Sequence, residues 1–230
     1  MVLVVVTCAL RTSDCLRGLI EQVDRQPWGG ERLLVSDGPP AIETGWPTHA
    51  TAKAGAGQMR TYWRALGLGV ERARRAGSGR FLVLEDDVEL SANAMVYIDD
   101  VEVPQDHDFL TWFDGHAVPR GAPAGIYAVP TRRFYCLQGV TWKIETAERL
   151  LASRQAAAWT QLHRGDHLVR AILAGGRYGV HVPNLVEHRG IESICTPGRA
   201  LIGPRLAANY AGRDFDCLSL RRPATSRRDR

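Results

Sequence analysis

Residues 81–90 read Phe-Leu-Val-Leu-Glu-Asp-Asp-Val-Glu-Leu, a short apolar run that ends abruptly in the acids Glu85, Asp86 and Asp87. An apolar stretch of this length, preceded by glycines, predicts a buried strand. The three carboxylates then lie at the rim of the sheet, where they repel one another unless they share a cation. Mg²⁺ and Mn²⁺ take oxygen ligands and bind through one or two carboxylates plus the phosphates of a substrate. The run is therefore a candidate metal and nucleotide site, and a solvated acidic turn is the alternative interpretation.

The composition is that of an ordinary globular protein. The chain has 230 residues, of which 45% are hydrophobic and 23% charged, and this suffices for one domain with a proper core. No apolar run approaches the roughly 20 residues that a membrane helix needs, and the first residues lack the features of a signal peptide. We therefore expect a cytoplasmic protein without integral membrane association. The five cysteines form no CxxC pair, which argues against a zinc site and favours thiols.

Charge does not identify a partner for most of the chain. The net charge is +4, and nearly all the basic residues are arginine. The end of the chain differs, because arginines cluster at positions 221, 222, 227, 228 and 230. Such a polar, basic segment cannot fold alone. We assign residues 1–215 to the domain and residues 216–230 to a basic tail that is predicted to be disordered.

Strands and helices alternate along the first half of the chain. Residues 2–6 predict a strand, residues 16–23 carry apolar side chains at helical spacing, and residues 32–36 predict a second strand that ends at Asp37. An amphipathic helix over residues 58–76 then precedes the strand with the acids. This alternation predicts an α/β fold, with a Rossmann-like, mainly parallel central sheet flanked by helices. Ligands of such sheets bind beyond the carboxyl ends of the strands, where Asp37 and the acids lie.

The second half of the chain is less regular. Residues 104–130 suit a functional loop or short irregular strands, and residues 135–142 predict a further strand. Helices are expected over residues 146–154 and from residue 166 to the Gly175-Gly176 pair, followed by a last strand over residues 179–183. Neither a repeat nor an internal linker interrupts the pattern, so we expect one domain.

Several short motifs follow one another in order along the chain. They are an amino-terminal apolar strand, Asp37, Arg64-Ala65-Leu66-Gly67, Leu84-Glu85-Asp86-Asp87, Gly165-Asp166 and Pro183-Asn184-Leu185-Val186-Glu187-His188-Arg189-Gly190. Together they resemble the GT-A-fold nucleotide-sugar glycosyltransferases over roughly the first nine-tenths of the chain. The Glu-Asp-Asp form and the late Pro-x-Leu-Val-x-His-x-Gly are especially similar to the small inverting enzymes of the lipooligosaccharide galactosyltransferase type.

The resemblance implies a metal-dependent enzyme that moves a sugar from a nucleotide-sugar donor, a UDP-sugar, to an acceptor hydroxyl with inversion. Glu85 or Asp86 would touch the ribose of the donor. Asp87 would ligate the Mn²⁺ or Mg²⁺ that bridges the diphosphate, and His188 would complete the coordination. The ion would offset the charge that builds on the departing nucleotide. A histidine hydrogen-bonded in a loop is the alternative interpretation of His188.

The resemblance also assigns four residues to nucleotide-sugar binding. Thr7 and Arg11 lie in the segment that follows the first strand. Asp37 matches an acid that contacts the base or ribose, and a turn or capping aspartate is the alternative. Arg64 matches an arginine that faces the pyrophosphate, whereas an arginine on an exposed helix face usually does no more than contact solvent.

Asp166 is the candidate catalytic base. Inverting transfer is a single displacement, so a carboxylate must accept the proton of the acceptor hydroxyl opposite the leaving phosphate. The resemblance places that acid at the start of a late helix, which Asp166 fits, although a helix-capping aspartate occupies the same position. The family pattern often doubles the acid here, and His167 stands in the second position, so His167 could share the role.

The acceptor and the reaction class have alternatives. A glycan or lipid-linked sugar follows from the resemblance, and the arginine-rich tail leaves room for a hydroxylated, modified base in DNA. A nucleotidyltransferase acting on sugar phosphates could also use paired acids, but residues 7–11 lack the glycines of its phosphate loop. A non-catalytic nucleic-acid-binding module is the third possibility, although basic residues outside the tail are interspersed with 25 acids.

Overall fold

The computed structural model describes residues 1–8, 13–55, 57–159, 165–189 and 206–221. Within them, the chain forms a mixed α/β fold with a central sheet of eight strands and a second sheet of two strands. The predicted α/β class is thereby confirmed.

The central sheet has the strand order β3-β2-β1-β4-β8-β6-β9-β7. Six of its strands run in one direction, and β8 and β7 run in the other. The smaller sheet pairs β10 with β5 in antiparallel fashion. The strands are β1 Val2–Cys8, β2 Glu31–Asp37, β3 Thr48–Ala50, β4 Arg80–Glu85, β5 Val88–Leu90, β6 Phe109–Thr111, β7 Gly125–Pro130, β8 Gly139–Lys143, β9 Arg177–Val182 and β10 Val186–His188.

Helices cover both faces of the sheet. They are α1 Ser13–Asp24, α2 Gln58–Arg75, α3 Ala94–Asp100, α4 Ile144–Ala152, α5 Arg154–Trp159 and α6 Gly165–Ile172, with 3₁₀ helices at Thr131–Arg133 and Cys217–Leu220. Side chains alternate along β1, so that Val4 packs with the α2 residues and Val5 packs with the α1 residues. Two apolar cores therefore form, one on each face, because every central strand is buried on both sides.

The order in which successive strands are added to the sheet reverses at β1. From β1 it passes through α1 to β2 and β3 on one side, and then returns through α2 to β4 on the other side of β1. The carboxyl ends of the neighbouring strands β1 and β4 therefore form a topological switch point. Such a switch point is the usual ligand site of an open α/β sheet.

Short elements account for most differences from the sequence prediction. The irregular segment 104–130 contains β6 and β7, and β10 follows the strand that was expected to be last. The helix expected over residues 146–154 starts at Ile144 and ends at Ala152, before α5 begins. The short strands β6 and β7 agree with the short irregular strands expected there, whereas three residues carry too few side chains for a periodic signal, which is why β3, β5 and β10 escaped prediction.

The residues at the predicted start of the basic tail are packed against α3. Cys217 is fully buried, its backbone N–H donates to the carbonyl of Ala92 over 3.0 Å, and burial raises the pKa of its thiol to about 12. Arg221 forms an ion pair with Asp100 at the end of α3. The packed part of the chain thus reaches at least Arg221, and residues 222–230 lie outside the described residues. Over the described part, none of the helices combines the length and apolar character that crossing a bilayer demands.

Candidate active site

The acids of the 81–90 run lie at the switch point. Glu85 is the last residue of β4, and Asp86 and Asp87 form the turn that leads into β5. All three are buried, with exposed fractions of 7%, 2% and 4%. Carboxylates are rarely buried without partners, because the loss of hydration must be offset by hydrogen bonds or by opposite charge. The hydrogen-bond partners of each acid therefore indicate its role in the site.

Asp86 is tied to the neighbouring strand β1. Its carboxylate accepts a hydrogen bond from the hydroxyl of Thr7, a residue that pairs with Ser36 of β2 in the parallel ladder. This bond links the carboxyl ends of β1 and β4. Thr7 and Asp86, both predicted to bind the nucleotide sugar, thus lie together.

Asp87 lies against His188, the residue predicted to share its metal ion. The Nε2 atom of His188 is 3.1 Å from Oδ2 of Asp87, and both side chains are buried. Antiparallel pairing of β10 with β5 brings them together, since His188 pairs with Val88 and the N–H of Arg189 donates to the carbonyl of Asp87 over 2.9 Å. Two residues distant in the sequence therefore form one donor pair.

The donor chemistry of this pair suits a divalent cation. A carboxylate oxygen and an imidazole nitrogen converge on one place, and Mn²⁺ accepts both kinds of ligand. Within the described residues, no cluster of three or more His, Cys, Asp or Glu side chains is arranged to hold a metal. An ion held by Asp87 and His188 could take further ligands from the phosphates of a substrate, the mode usual for nucleotide-bound Mg²⁺.

Glu85 faces the opposite side of the sheet, toward α2. Its carboxylate accepts a hydrogen bond of 2.7 Å from Nε2 of Gln58, the first residue of α2, and its N–H donates to the carbonyl of Gln138 over 3.2 Å. Gln138 is itself buried, and its Oε1 atom has no hydrogen-bond partner among the described residues. Sequence reasoning missed both glutamines, because neither lies in a motif.

Asp37 organises the loop before α2. Its carboxylate accepts backbone N–H bonds from Gly57 over 2.9 Å and from Gly55 over 3.1 and 3.2 Å. Both glycines have positive φ angles, 124° for Gly55 and 85° for Gly57, which other residues adopt only with strain. The turn-stabilising interpretation of Asp37 therefore has a direct structural basis, and its contact with a nucleotide stays a prediction.

The candidate base Asp166 lies at the start of α6, next to the start of α2. A Cβ atom added to Gly165 would lie 2.6 Å from a methyl carbon of Leu137 and 2.7 Å from the sulfur of Met59. Glycine at this position therefore lets α6 approach the end of α2 that also carries Gln58. The Asp166 side chain is 14% exposed, and its Oδ2 lies 3.8 Å from the guanidinium of Arg170 one turn later. His167 beside it is half-buried.

One of the two predicted nucleotide-binding arginines, Arg64, has no contact with this group among the described residues. Arg64 is exposed in the second turn of α2, a rise of about 9 Å from Gln58 along the helix. Its position agrees with the solvent-contact interpretation. Arg11 lies outside the described residues.

The segment that carries His188 is held by Glu187. Oε1 of Glu187 accepts N–H bonds from His188 over 2.8 Å and from Ala207 over 2.9 Å. Burial raises the pKa of Glu187, and the charge of Glu89 directly opposite on β5 adds to the effect. Glu187 thereby connects β10 to Ala207.

Comparison with known proteins adds no assignment. Neither the protein-family models nor the curated proteins give a match to this chain.

Proposed function

We propose that this chain is a metal-dependent glycosyltransferase of the GT-A type, which moves a sugar from a nucleotide-sugar donor, a UDP-sugar, to an acceptor hydroxyl with inversion. The observation that supports it most is the convergence of Asp86, Asp87, Thr7 and His188 at the switch point of the sheet. These four side chains come from three separate parts of the chain. A solvated acidic turn, the alternative interpretation, would leave the acids exposed.

The strand order supports a nucleotide at this place. The half of the sheet ordered β3-β2-β1-β4 is parallel throughout, as in the mononucleotide-binding half of a Rossmann fold. Glu85 and Asp37 both lie on the α2 side of this half of the sheet. Asp86 and Asp87 lie in the turn that follows β4. The nucleoside would bind at the carboxyl ends of β1 and β4, with its diphosphate toward Asp87.

Asp87 and His188 would hold the divalent ion. Bound there, Mn²⁺ or Mg²⁺ would neutralise charge on the diphosphate leaving group. The residues fit this role because their buried oxygen and nitrogen atoms already lie 3.1 Å apart. Glu187 would support this site, because its carboxylate accepts a hydrogen bond from the N–H of His188 and so positions the backbone of β10.

Asp166 would accept the proton of the acceptor. As the acceptor oxygen forms a bond to the anomeric carbon, the bond from that carbon to the phosphate oxygen breaks and its electron pair leaves with the nucleoside diphosphate. The hydroxyl proton passes to the carboxylate of Asp166. The nearby Arg170 would hold that carboxylate in position through their contact of 3.8 Å. Attack and departure on opposite sides of the carbon invert its configuration.

The test is the turnover of a panel of nucleotide sugars by the purified protein with Mn²⁺ or Mg²⁺. We expect release of nucleoside diphosphate that stops when EDTA is added. Release of pyrophosphate from a nucleoside triphosphate and a sugar phosphate would instead identify a nucleotidyltransferase. A protein that neither binds nor hydrolyses any member of the panel would refute the proposal.

A further inference from the structure

The side-chain amide of Gln138 is a buried polar group that the reaction above does not use. Gln138 is 5% exposed, and its Oε1 atom has no hydrogen-bond partner among the described residues. Buried amides are normally hydrogen-bonded, because an unsatisfied carbonyl loses its hydration without compensation. Nε2 of His107 and Oγ1 of Thr131 are also buried without a partner in the described ranges, but they adjoin the amino ends of β6 and β9, at the opposite edge of the sheet. Gln138 differs from them because it lies at the edge with the candidate site.

Gln138 lies on the same face of the sheet as Glu85. The N–H of Glu85 donates to the carbonyl of Gln138 over 3.2 Å, which extends the antiparallel register of β4 and β8 by one residue. Within that register the opposed residues Val83 and Val140 both pack in the core that contains α2. Side chains two residues apart along a strand share a face. The side chains of Glu85 and Gln138 are therefore neighbours on the α2 side of the sheet.

The residue before Gln138 contacts the segment that carries the candidate base. A Cβ atom added to Gly165 would lie 2.6 Å from a methyl carbon of Leu137. Gly165 is followed directly by Asp166 at the start of α6. One side of Gln138 is thus adjacent to the start of α6.

The residue after Gln138 contacts the segment that carries the metal ligand. A Cβ atom added to Gly139 would lie 3.0 Å from a methyl carbon of Val186 on β10. Val186 and His188 are both buried and, two residues apart, lie on the same side of β10. Gln138 is therefore placed between the start of α6 and the pair of Asp87 and His188.

The transferred sugar must occupy the same interval. In the proposed reaction the anomeric carbon lies between the leaving phosphate, which is held at Asp87 and His188, and the acceptor hydroxyl, which gives its proton to Asp166. The sugar ring that carries this carbon then lies beside Gln138. Its hydroxyl groups can supply the hydrogen bond that Oε1 lacks.

We propose that the side-chain amide of Gln138 binds a hydroxyl of the transferred sugar and that this subsite selects neutral hexoses. The inference rests on the proposed function and specifies the sugar of its donor. A carboxamide accepts from a hydroxyl through Oε1 and donates to it through Nε2, and rotation about the last side-chain bond brings either atom toward the ligand. The carboxylates of Glu85 and Asp166 on either side of Gln138 repel a sugar that itself carries a carboxylate, such as a hexuronic acid.

The test replaces Gln138 by Met, which keeps the length of the side chain and removes its hydrogen bonds. With the UDP-hexose that the wild type turns over fastest, Gln138→Met should lower kcat/KM roughly 10–100-fold, because one buried hydrogen bond to the sugar is lost. Calorimetric affinity for UDP in the presence of Mn²⁺ should stay unchanged, since UDP lacks the sugar. Thermal melting should not fall, because methionine leaves no buried amide without a partner.

The matched control is Gln105→Met. Gln105 is exposed near the other end of β8, where its backbone carbonyl accepts a hydrogen bond of 2.9 Å from Nζ of Lys143, and its substitution should leave kcat/KM unchanged. Monodeoxy analogues of the same UDP-hexose identify the hydroxyl that is bound. At one ring position the analogue should lower kcat/KM of the wild type to that of Gln138→Met and have no further effect on the variant.

Equal kcat/KM for the wild type and Gln138→Met would overturn the inference, as would a series of analogues in which no position removes their difference. A parallel loss of UDP affinity in Gln138→Met would overturn it by showing a distorted nucleotide site. Faster turnover of a UDP-hexuronic acid than of every UDP-hexose would overturn the selection of neutral sugars. Each of these results leaves the proposed function standing, because the wild type still transfers a sugar. A wild type that turns over no nucleotide sugar would refute the proposed function and this inference together.

Discussion

The Thr7 hydroxyl donates a hydrogen bond to the carboxylate of Asp86 and thereby joins the carboxyl ends of β1 and β4 across 79 positions of sequence. Both residues are buried, with 5% of Thr7 and 2% of Asp86 exposed. The Thr7 hydroxyl both joins the two strands and supplies a hydrogen bond to a buried carboxylate, so its substitution should change the stability of the protein.

Replacement of Thr7 by Val should lower the free energy of unfolding by about 1–3 kcal/mol, because the buried carboxylate loses a donor while the side-chain shape is kept. Urea denaturation at neutral pH measures the effect. Thr7→Ser, which keeps the hydroxyl, is the matched control and should lose less. Equal stability of the Val and Ser variants would show that the bond contributes nothing.

Asp87→Asn should weaken binding of UDP in the presence of Mn²⁺ by on the order of 100-fold, since changes even in the outer shell of a metal site cost 10–100-fold. Isothermal titration calorimetry, repeated with EDTA, measures this. Glu89→Gln makes the same change of charge two residues away and serves as control; Glu89 contacts the hydroxyl of Tyr210 at 3.3 Å. Unaltered affinity and EDTA response in Asp87→Asn would remove the basis of the metal assignment.

Asp166→Asn should reduce the turnover number by roughly 10²–10⁴-fold with little change in the KM of the donor, because a general base acts only in the transition state. His167→Gln should reduce it less than Asp166→Asn does. Steady-state release of nucleoside diphosphate provides the measurement. The opposite ranking of the two variants would assign the base to His167.

His181 should make the stability of the protein fall in acid. It is buried, its Nδ1 lies 2.7 Å from the carbonyl of Pro183 and must donate to it, and its Nε2 therefore accepts from the hydroxyl of Tyr97 at 3.1 Å. Burial lowers the pKa of His181 below its ordinary 6.5, so the unfolded chain binds the proton more readily. Stability from this group is complete above pH 6.5 and decreases as the pH falls toward the lowered value.

The difference in unfolding free energy between wild type and His181→Gln isolates this effect from the other histidines. It should change by at most about 1.4 kcal/mol per pH unit below pH 6.5, in favour of the variant, and stay constant above it. Urea titrations at several pH values measure the difference. A constant difference from neutral pH into acid would mean that His181 does not titrate abnormally.

The sequence predicted those parts of the fold whose signal is local. β1 and β4 are continuous apolar runs, and α2 repeats its apolar side chains over 18 residues. β6 and β10 are three residues long, and their existence depends on partners far away in the sequence. Pairing with β5 is what makes residues 186–188 a strand, and no pattern within them specifies that.

The residues of the candidate site also differ in whether a local sequence signal predicts them. The acids at the end of β4 stand out because charges interrupt a buried strand. The contacts of Gln58 and Gln138 with Glu85 could not be predicted, because they depend on where α2 begins and on the antiparallel register that places Gly139 opposite Leu84. Arg64 was assigned by its motif and is exposed on α2, so its contact with a pyrophosphate stays a prediction.

The pairing of β10 with β5 determines when the pair Asp87 and His188 can form during synthesis of the chain. A nascent chain that has left the ribosome as far as β4 already contains β1, β2 and the three acids, yet the partner of Asp87 lies 101 positions further on. Translation must therefore pass residue 188 before the donor pair exists. Fragments released earlier by stalled ribosomes would have the acids without His188, and so would lack this pair.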